Sequence, residues 1–295
     1  MTERIAVDGA VDIHTHVGPS PLERRVDGYE CAAEADAAGM DAVVLKEHFL
    51  PTVYGAAYVD RLLARDGADV DVHGSLVMNY CNGGFNPFAV ETALSYGARV
   101  IWAPTIDAAH HAEQTGQLGA FLGREAGPEY DDRSGITALD GSGRLRDPVR
   151  LCVEKTAAAG AVLAVGHLSF DETLALTEYA TDCGGTVVVD HPTYPVTDLS
   201  RSEQETLVGT GAVLNFPFMA ISPKYHWIDA DALADNIREV GVDNCVLSSD
   251  VGQVFNPGVP ESLRVFGETL LAEGLSRAEV DAMLKETPKR LLDRD

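Results

Sequence analysis

The first apolar run of the chain closes on Val11-Asp12-Ile13-His14-Thr15-His16, two histidines separated by one residue. Residues i and i+2 of a strand project from the same face, so both imidazoles can be offered to one point just past the strand's C-terminal end. Such a point suits a divalent metal. Four later runs also end in groups that bind metal: Lys46-Glu47-His48, His167, His191 and Asp250. One strand-end histidine is most often structural, but unrelated structural histidines have no reason to share one strand end. His14, His16, His167, His191 and Asp250 are therefore the candidate ligands of one or two ions. Zinc comes first, and a donor set of imidazole and carboxylate without thiolate also suits manganese, iron or nickel.

The other polar candidates are weaker. His73 begins its run, on the face where barrel residues serve stability. His110, His111 and His226 fall in loops; each could reach a substrate from there, and each reads first as a solvated loop residue. Asn79, Asn82, Asn86 and Thr105 lie at or beyond strand ends, either to meet polar substrate groups or to cap helices. Asn86 directly precedes Pro87, an ordinary helix start.

These residues need elements that bring strand ends together. Apolar, β-branched runs alternate with Ala- and Glu-rich amphipathic stretches, the pattern of parallel βα units. The runs at 10–14, 41–46, 72–77, 99–103, 162–166, 186–190, 212–216 and 244–249 give eight strands. Helical stretches separate them, with glycines such as Gly39 and Gly160 where a helix should turn into the next strand. The expected fold is α/β, a single (β/α)8 TIM barrel spanning 1–295 as one domain, and the 295 residues suffice for it. The segment 105–147 breaks the rhythm. It is a long insertion after the fourth strand, rich in Gly, Asp and Glu, and so emerges on the C-terminal face, either as a lid over substrate or as a surface excursion or subunit contact. Within it, 136–139 and 144–146 are suited to pair across Asp140-Gly141.

Composition excludes several functions. With 46 Asp and Glu against 22 Lys and Arg the formal charge is −24, which disfavours nucleic acid and anionic membrane surfaces. Five cysteines, widely spaced and never as Cys-x-x-Cys, indicate neither a disulfide framework nor a thiolate zinc site. No basic segment leads into an apolar one at the N-terminus, and no apolar stretch approaches about 20 residues, so a soluble cytoplasmic protein is expected. No Gly-x-Gly-x-x-Gly or Gly-Lys-Ser/Thr loop recommends a dinucleotide or nucleoside triphosphate. The expected partner is a small-molecule substrate, with a homo-oligomer left open.

His-x-His after the first strand, His after the fifth and the sixth, and Asp after the eighth resemble the amidohydrolase superfamily of metal-dependent TIM barrels, over essentially the whole chain. Leu284-Lys285-Glu286-Thr287-Pro288-Lys289-Arg290-Leu291-Leu292 is similar to its closing helix, with Thr287 where Asn is usual. Val44-Leu45-Lys46-Glu47-His48-Phe49, Gly83-Gly84-Phe85-Asn86-Pro87, Trp102-Ala103-Pro104-Thr105 and Gly166-His167-Leu168-Ser169 look like a functionally uncharacterised branch of it. The resemblance implies that His14, His16 and Asp250 hold one metal. His167 and His191 would hold a second, or the metal and the substrate oxygen, and Asp250 would take the proton from the attacking water. Binuclear members often place a bridging carboxylated Lys or Glu after the fourth strand, where this chain has Ala103-Pro104-Thr105. The second strand supplies the alternative: Lys46 as bridge with His48 as neighbour or ligand on one face, or Glu47 on the other. A salt bridge to Asp250 or another carboxylate is the competing role for Lys46.

The implied activity is hydrolysis of a small-molecule amide, ester or lactone by metal-activated water, with Asp250, Lys46 and His191 as catalytic residues. A metal-dependent decarboxylase of the same superfamily and a phosphoesterase are the alternatives. A binding protein on a decayed barrel is disfavoured because all five candidate ligands are intact.

Overall fold

The computed structural model describes residues 4–119 and 134–292. Strands and helices alternate along it: β1 (Val11–His16), α1 (Gly28–Ala37), β2 (Ala42–Lys46), α2 (Val53–Arg65), β3 (Asp71–His73), β4 (Ser75–Val77), α3 (Pro87–Ser95), β5 (Val100–Trp102), α4 (Ala109–Thr115), α5 (Asp147–Ala158), β6 (Val162–Val165), α6 (Phe170–Asp182), β7 (Thr186–Asp190), α7 (Arg201–Gly209), β8 (Val213–Pro217), α8 (Ala230–Val240), β9 (Cys245–Ser248), α9 (Val259–Ala272), α10 (Arg277–Asp281) and α11 (Thr287–Leu292). Local chemistry sets many helix starts. Asp27 with Glu30, Ser169 with Glu172, Ser200 with Glu203 and Ser276 with Glu279 close capping boxes on α1, α6, α7 and α10. Asn86 accepts from the Phe88 and Ala89 amides ahead of Pro87, so its role is the cap of α3.

The strands pair in parallel, β1-β2-β3 in one sheet and β4-β5-β6-β7-β8-β9 in a second. The run expected as one strand over 72–77 is divided at Gly74, which also separates the sheets. Backbone hydrogen bonds join β1 to the residues after β9: the Asp250 amide donates to the His14 carbonyl at 2.8 Å and the His16 amide to the Val251 carbonyl at 2.7 Å. Both faces of the strands are buried, as parallel strands flanked by helices require. One face supplies a cluster of Val11, Ile13, Val44, Trp102, Ala164 and Val188, while Val43, Leu45, Ile101, Leu163 and Val187 pack with the helices in a larger core.

β1 is not regular. Asp12 pairs with Val43 and Thr15 with Leu45, three steps along β1 against two along β2, and such a bulge re-aims side chains next to functional sites. It lets Ile13 join the Trp102 cluster while the next residue, His14, places its ring 4.6 Å from the Trp102 ring. Asp12 braces the bulge, accepting the His14 and Ser249 amides, both at 3.1 Å. The histidines therefore lie within the strand, not past its end.

Residues 120–133, the middle of the expected insertion, lie outside the described residues, so the expected lid is described only at its two ends. One end carries α4, whose entry is joined to the other by an Ala108–Ile136 bridge. The hairpin expected across Asp140-Gly141 is present as a single antiparallel bridge between Leu139 and Leu145. Among the described residues, no helix is long and apolar enough to cross a membrane.

Candidate metal centre

Because β1 and the exit from β9 are hydrogen-bonded neighbours, His14, His16 and Asp250 meet. Asp250 Oδ1 lies 3.1 Å from His14 Nε2 and 3.1 Å from His16 Nε2. One donor atom from each of the three can be chosen so that all lie within 4.8 Å of one another. His167, which follows β6, and His191, which follows β7, line the same open cavity of about 70 Å³, with ring centroids 4.9 Å apart. His191 and Asp250 both leave their strands with positive φ, 36° and 51°. A left-handed backbone is uncommon for residues other than glycine and gathers at functional sites.

The end of β2 and the residues just beyond it reach the cavity. Lys46 and His48 both line it. Glu47 turns away, accepting from the Ser20 hydroxyl at 2.7 Å and the Phe49 and Leu50 amides at 2.6 and 3.0 Å. The Lys46 Nζ sits 3.8 Å from the Trp102 ring centroid and 2.9 Å from His14 Nε2, so its contacts are a ring face and an imidazole. Burial lowers the pKa of Lys46 to about 8. His48 is stacked on His16 with centroids 4.7 Å apart, and its Nδ1 lies 3.0 Å from Thr105 Oγ1. Asn79 donates to that hydroxyl at 2.8 Å and to the His48 carbonyl at 3.0 Å. Asn79 and Thr105 thus position His48.

Electrostatics separates the histidines. Burial, and for His16 the charge of Arg24, holds His16, His48 and His167 well below the usual imidazole range, and burial lowers His191 to about 4. Neutral imidazoles are the metal-binding form. His14 moves the other way. Burial disfavours its charge, but the carboxylates of Asp250 and Asp190 outweigh burial. Burial also opposes ionisation of Asp250, and the charge and hydrogen bonds of His14 and His16 reverse that, holding its carboxyl well below the carboxylate range. Among the described residues, the buried His191 Nδ1 has no hydrogen-bond partner. Buried donors that converge, mostly neutral imidazole with one ionised carboxylate, fit a divalent cation.

Several residues of the site were missed or under-rated from sequence. Asp190, the last residue of β7, places Oδ1 3.4 Å from His14 Nδ1 and accepts from Asn215 Nδ2 at 2.6 Å. His111, expected as a solvated loop residue, is fully buried on α4, with Nδ1 2.8 Å from His167 Nδ1. Arg24, Tyr194, Met219, Tyr225, Trp227 and Gln253 complete the cavity wall. His110 reaches the Val196 carbonyl, and His226 is exposed beside Asp229; neither lines the cavity. His73 closes β3, and Asn82 donates to the Val77 and Phe49 carbonyls.

The fold is shared with amidohydrolase- and phosphotriesterase-like proteins. An amidohydrolase from Pseudomonas aeruginosa superposes with a TM-score of 0.60 at 13% identity, over 97% of this chain and 96% of that one. An amidohydrolase from Mycoplasma synoviae gives 0.60 at 15% identity, over 99% and 90%. The phosphotriesterase homology protein from Escherichia coli, with phosphate in its active site, gives 0.56 at 17% identity, over 98% and 100%. No curated protein matches the sequence. Residues 9–215 match the model of DUF6282, a family of unknown function, and the chain belongs to that family.

Proposed function

We propose that this protein is a metal-dependent hydrolase of a small molecule, cleaving an amide, ester or lactone with zinc as its metal. The observation that carries this reading is the meeting of His14, His16 and Asp250 donors within 4.8 Å at the base of an open cavity. The β1–β9 hydrogen bonds support reading the two sheets as one closed barrel whose strand ends share that cavity. The likeness in fold to amidohydrolases supports the reaction class.

His14, His16 and Asp250 would hold one ion, and His167 with His191 a second ion or the substrate's carbonyl oxygen. A bound cation supplies Lewis acidity to a carbonyl and to a water molecule. Asp250, ionised and buried, accepts a proton at its carboxylate as the attacking oxygen loses it. Lys46, whose amine lies beside His14, is the candidate bridge between two ions, with His48 braced next to it by Thr105. The ring of Trp102 below and the imidazoles around it keep water from the far side of the Lys46 amine.

The test pairs metal analysis with turnover. Protein prepared without chelators should contain one to two equivalents of divalent metal, and Asp250→Asn should cut hydrolysis of an ester and lactone panel by about 10²- to 10⁴-fold. Phosphoesters and a carbon dioxide assay run beside the panel. A folded protein that takes up no metal, or an Asp250→Asn variant at the parental rate, overturns the reading. Phosphate or carbon dioxide release alone would move it to a phosphoesterase or a decarboxylase.

A further inference from the structure

The outer side of the first three helices carries a surface that the candidate active site does not use. Of the nine large hydrophobic side chains exposed among the described residues, six belong to it: Tyr29, Leu50, Tyr54, Tyr58, Phe88 and Tyr96. Helix periodicity gathers most of them. Tyr54 and Tyr58 stand one turn apart on α2, while Phe88 in the first turn of α3 and Tyr96 at its C-cap stand two turns apart. Leu50 joins them from the loop after β2, two residues past His48, and Tyr29 from the first turn of α1. The core takes other residues of the same helices, Val53, Ala56 and Leu63 of α2 and Val90 and Ala93 of α3, so packing of the fold does not account for the exposed rings.

The patch is continuous. One groove is lined by Pro51, Tyr54, Phe88 and Tyr96, and the adjoining hollow on the other side of Pro51 by Tyr29, Leu50 and Val59. None of the nine residues lining the first groove is charged, in a chain that holds 46 Asp and Glu. The six side chains are exposed by 39 to 80% of full areas of roughly 200 Å² each, and together offer roughly 750 Å². That exceeds the roughly 300 to 600 Å² of the largest apolar patch on a typical monomer. It matches the roughly 800 Å² that each partner contributes to a standard stable interface.

We infer that this patch is the interface of a closed homodimer, in which α2 and α3 of two copies pack about a twofold axis. The inference stands apart from the hydrolase reading. Charge favours a second copy as the occupant. A chain of formal charge −24 attracts partners of other sequence through their basic groups, and these would seat on an acidic face. Two copies of this chain repel one another through every acidic face and meet at least cost where charge is missing. A twofold axis sets the same patch on both sides, so the patch has only to match itself. Its relief suits that. Gly55 and Ala57 lie between the two tyrosines of α2, and a Cβ added at Gly55 would meet nothing, so aromatic ridges stand beside open hollows that the other copy's rings can fill.

Sedimentation velocity on the full chain from about 0.1 to 100 µM gives the mass and the dimer Kd. The expected species has twice the 31.5 kDa of the chain. Phe88→Glu and Tyr58→Glu, one on each helix, should each raise the dimer Kd by about 30-fold or more, the scale of a buried aromatic anchor. Neither change harms its own helix: an acidic side chain is favourable in the first turn of α3, and Glu is a better helix former than Tyr at position 58. Circular dichroism confirms folding, and should one variant not fold, the other decides. Phe88→Leu keeps an apolar side chain and should retain most of the association. Raising salt from about 50 to 500 mM should tighten the dimer, because screening removes repulsion between two acidic copies. A monomer across the whole range overturns the inference and leaves the patch to a partner of another sequence. It is equally overturned by a dimer whose Kd a folded Phe88→Glu or Tyr58→Glu variant leaves unchanged, by association that salt weakens, or by open-ended assembly in place of a closed pair.

Discussion

Asp190→Asn isolates the contribution of a residue that never touches the proposed metal. Asp190 Oδ1 faces His14 Nδ1 at 3.4 Å and already accepts from Asn215 at 2.6 Å. An asparagine keeps an oxygen in that place and the same shape, so what it removes is the negative charge behind the ligand. Carboxylates behind ligating histidines fix the tautomer and raise ligand basicity, and losing one costs about 10- to 100-fold in metal affinity, or about 1.4–2.7 kcal/mol. A second effect has the opposite sign. Asp190 helps raise the His14 pKa, so at lower pH the parent protein must shed a proton from His14 before the metal binds, and the variant less so. The affinity deficit should therefore be largest where His14 is already neutral and should shrink as pH falls. Chelator-buffered zinc titrations across a pH series measure it, with circular dichroism to confirm the fold. Equal affinity at high pH, or a deficit that grows as pH falls, would refute the role given to Asp190.

Three further changes probe the surrounding frame. Thr105→Val removes the oxygen shared by His48 and Asn79; in this buried setting it should cost about 1–3 kcal/mol, read as a lowered Tm, and loosen His48. Burial, opposed by the Ser249 hydroxyl and the His14 and Ser249 amides, raises Asp12 from 3.8 to about 6. Folding therefore favours the protonated acid: that stability is fully present below about pH 3.8 and is lost as pH rises through about 6. Asp12→Asn mimics the protonated form, so in metal-free protein its unfolding free energy relative to the parent should rise between pH 4 and 7, by up to about 3 kcal/mol at 1.36 kcal/mol per pKa unit, as read by denaturant unfolding; a flat difference would be contrary. Gly252 has φ of 144°, and a Cβ there would lie 2.1 Å from the His16 carbonyl oxygen, so Gly252→Ala should cost at least about 3 kcal/mol or abolish soluble expression.

The fold was legible where one local signal decided each element. Every expected strand and helix has a counterpart, because β-branched runs with both faces covered and capped amphipathic helices each carry their own period or punctuation. Ala230–Val240 is helical over the range its pattern indicates, with Leu233, Ala234, Ile237 and Val240 on the buried side. What escaped was decided between elements. The break at Gly74 and the short helix α4 carry no periodicity of their own, and the β1 bulge appears only when β1 is paired with β2.

The site divides along the same line. His14, His16, His167, His191 and Asp250 could be picked out as candidate ligands because they stand at or near strand ends, and strand ends can be counted in a sequence. Lys46 and His48 could be assigned to one face and Glu47 to the other by parity, but the choice between faces depended on where β1 and β5 placed His14 and Trp102. Asp190 was hidden by its position next to His191: two adjacent polar residues at a strand end suggest one functional side chain and one solvated neighbour. Here the chain turns sharply between them, with His191 at φ of 36°, so one residue stands behind His14 and the next lines the cavity. His111 was hidden by a different cause. A histidine in a polar segment with no periodicity has every mark of solvent exposure, and only the docking of α4 buries it against His167, 56 positions away. Residues that supply a lone pair directly are constrained by strand geometry and leave a pattern, whereas residues that orient them need only reach the right nitrogen, which many positions can do.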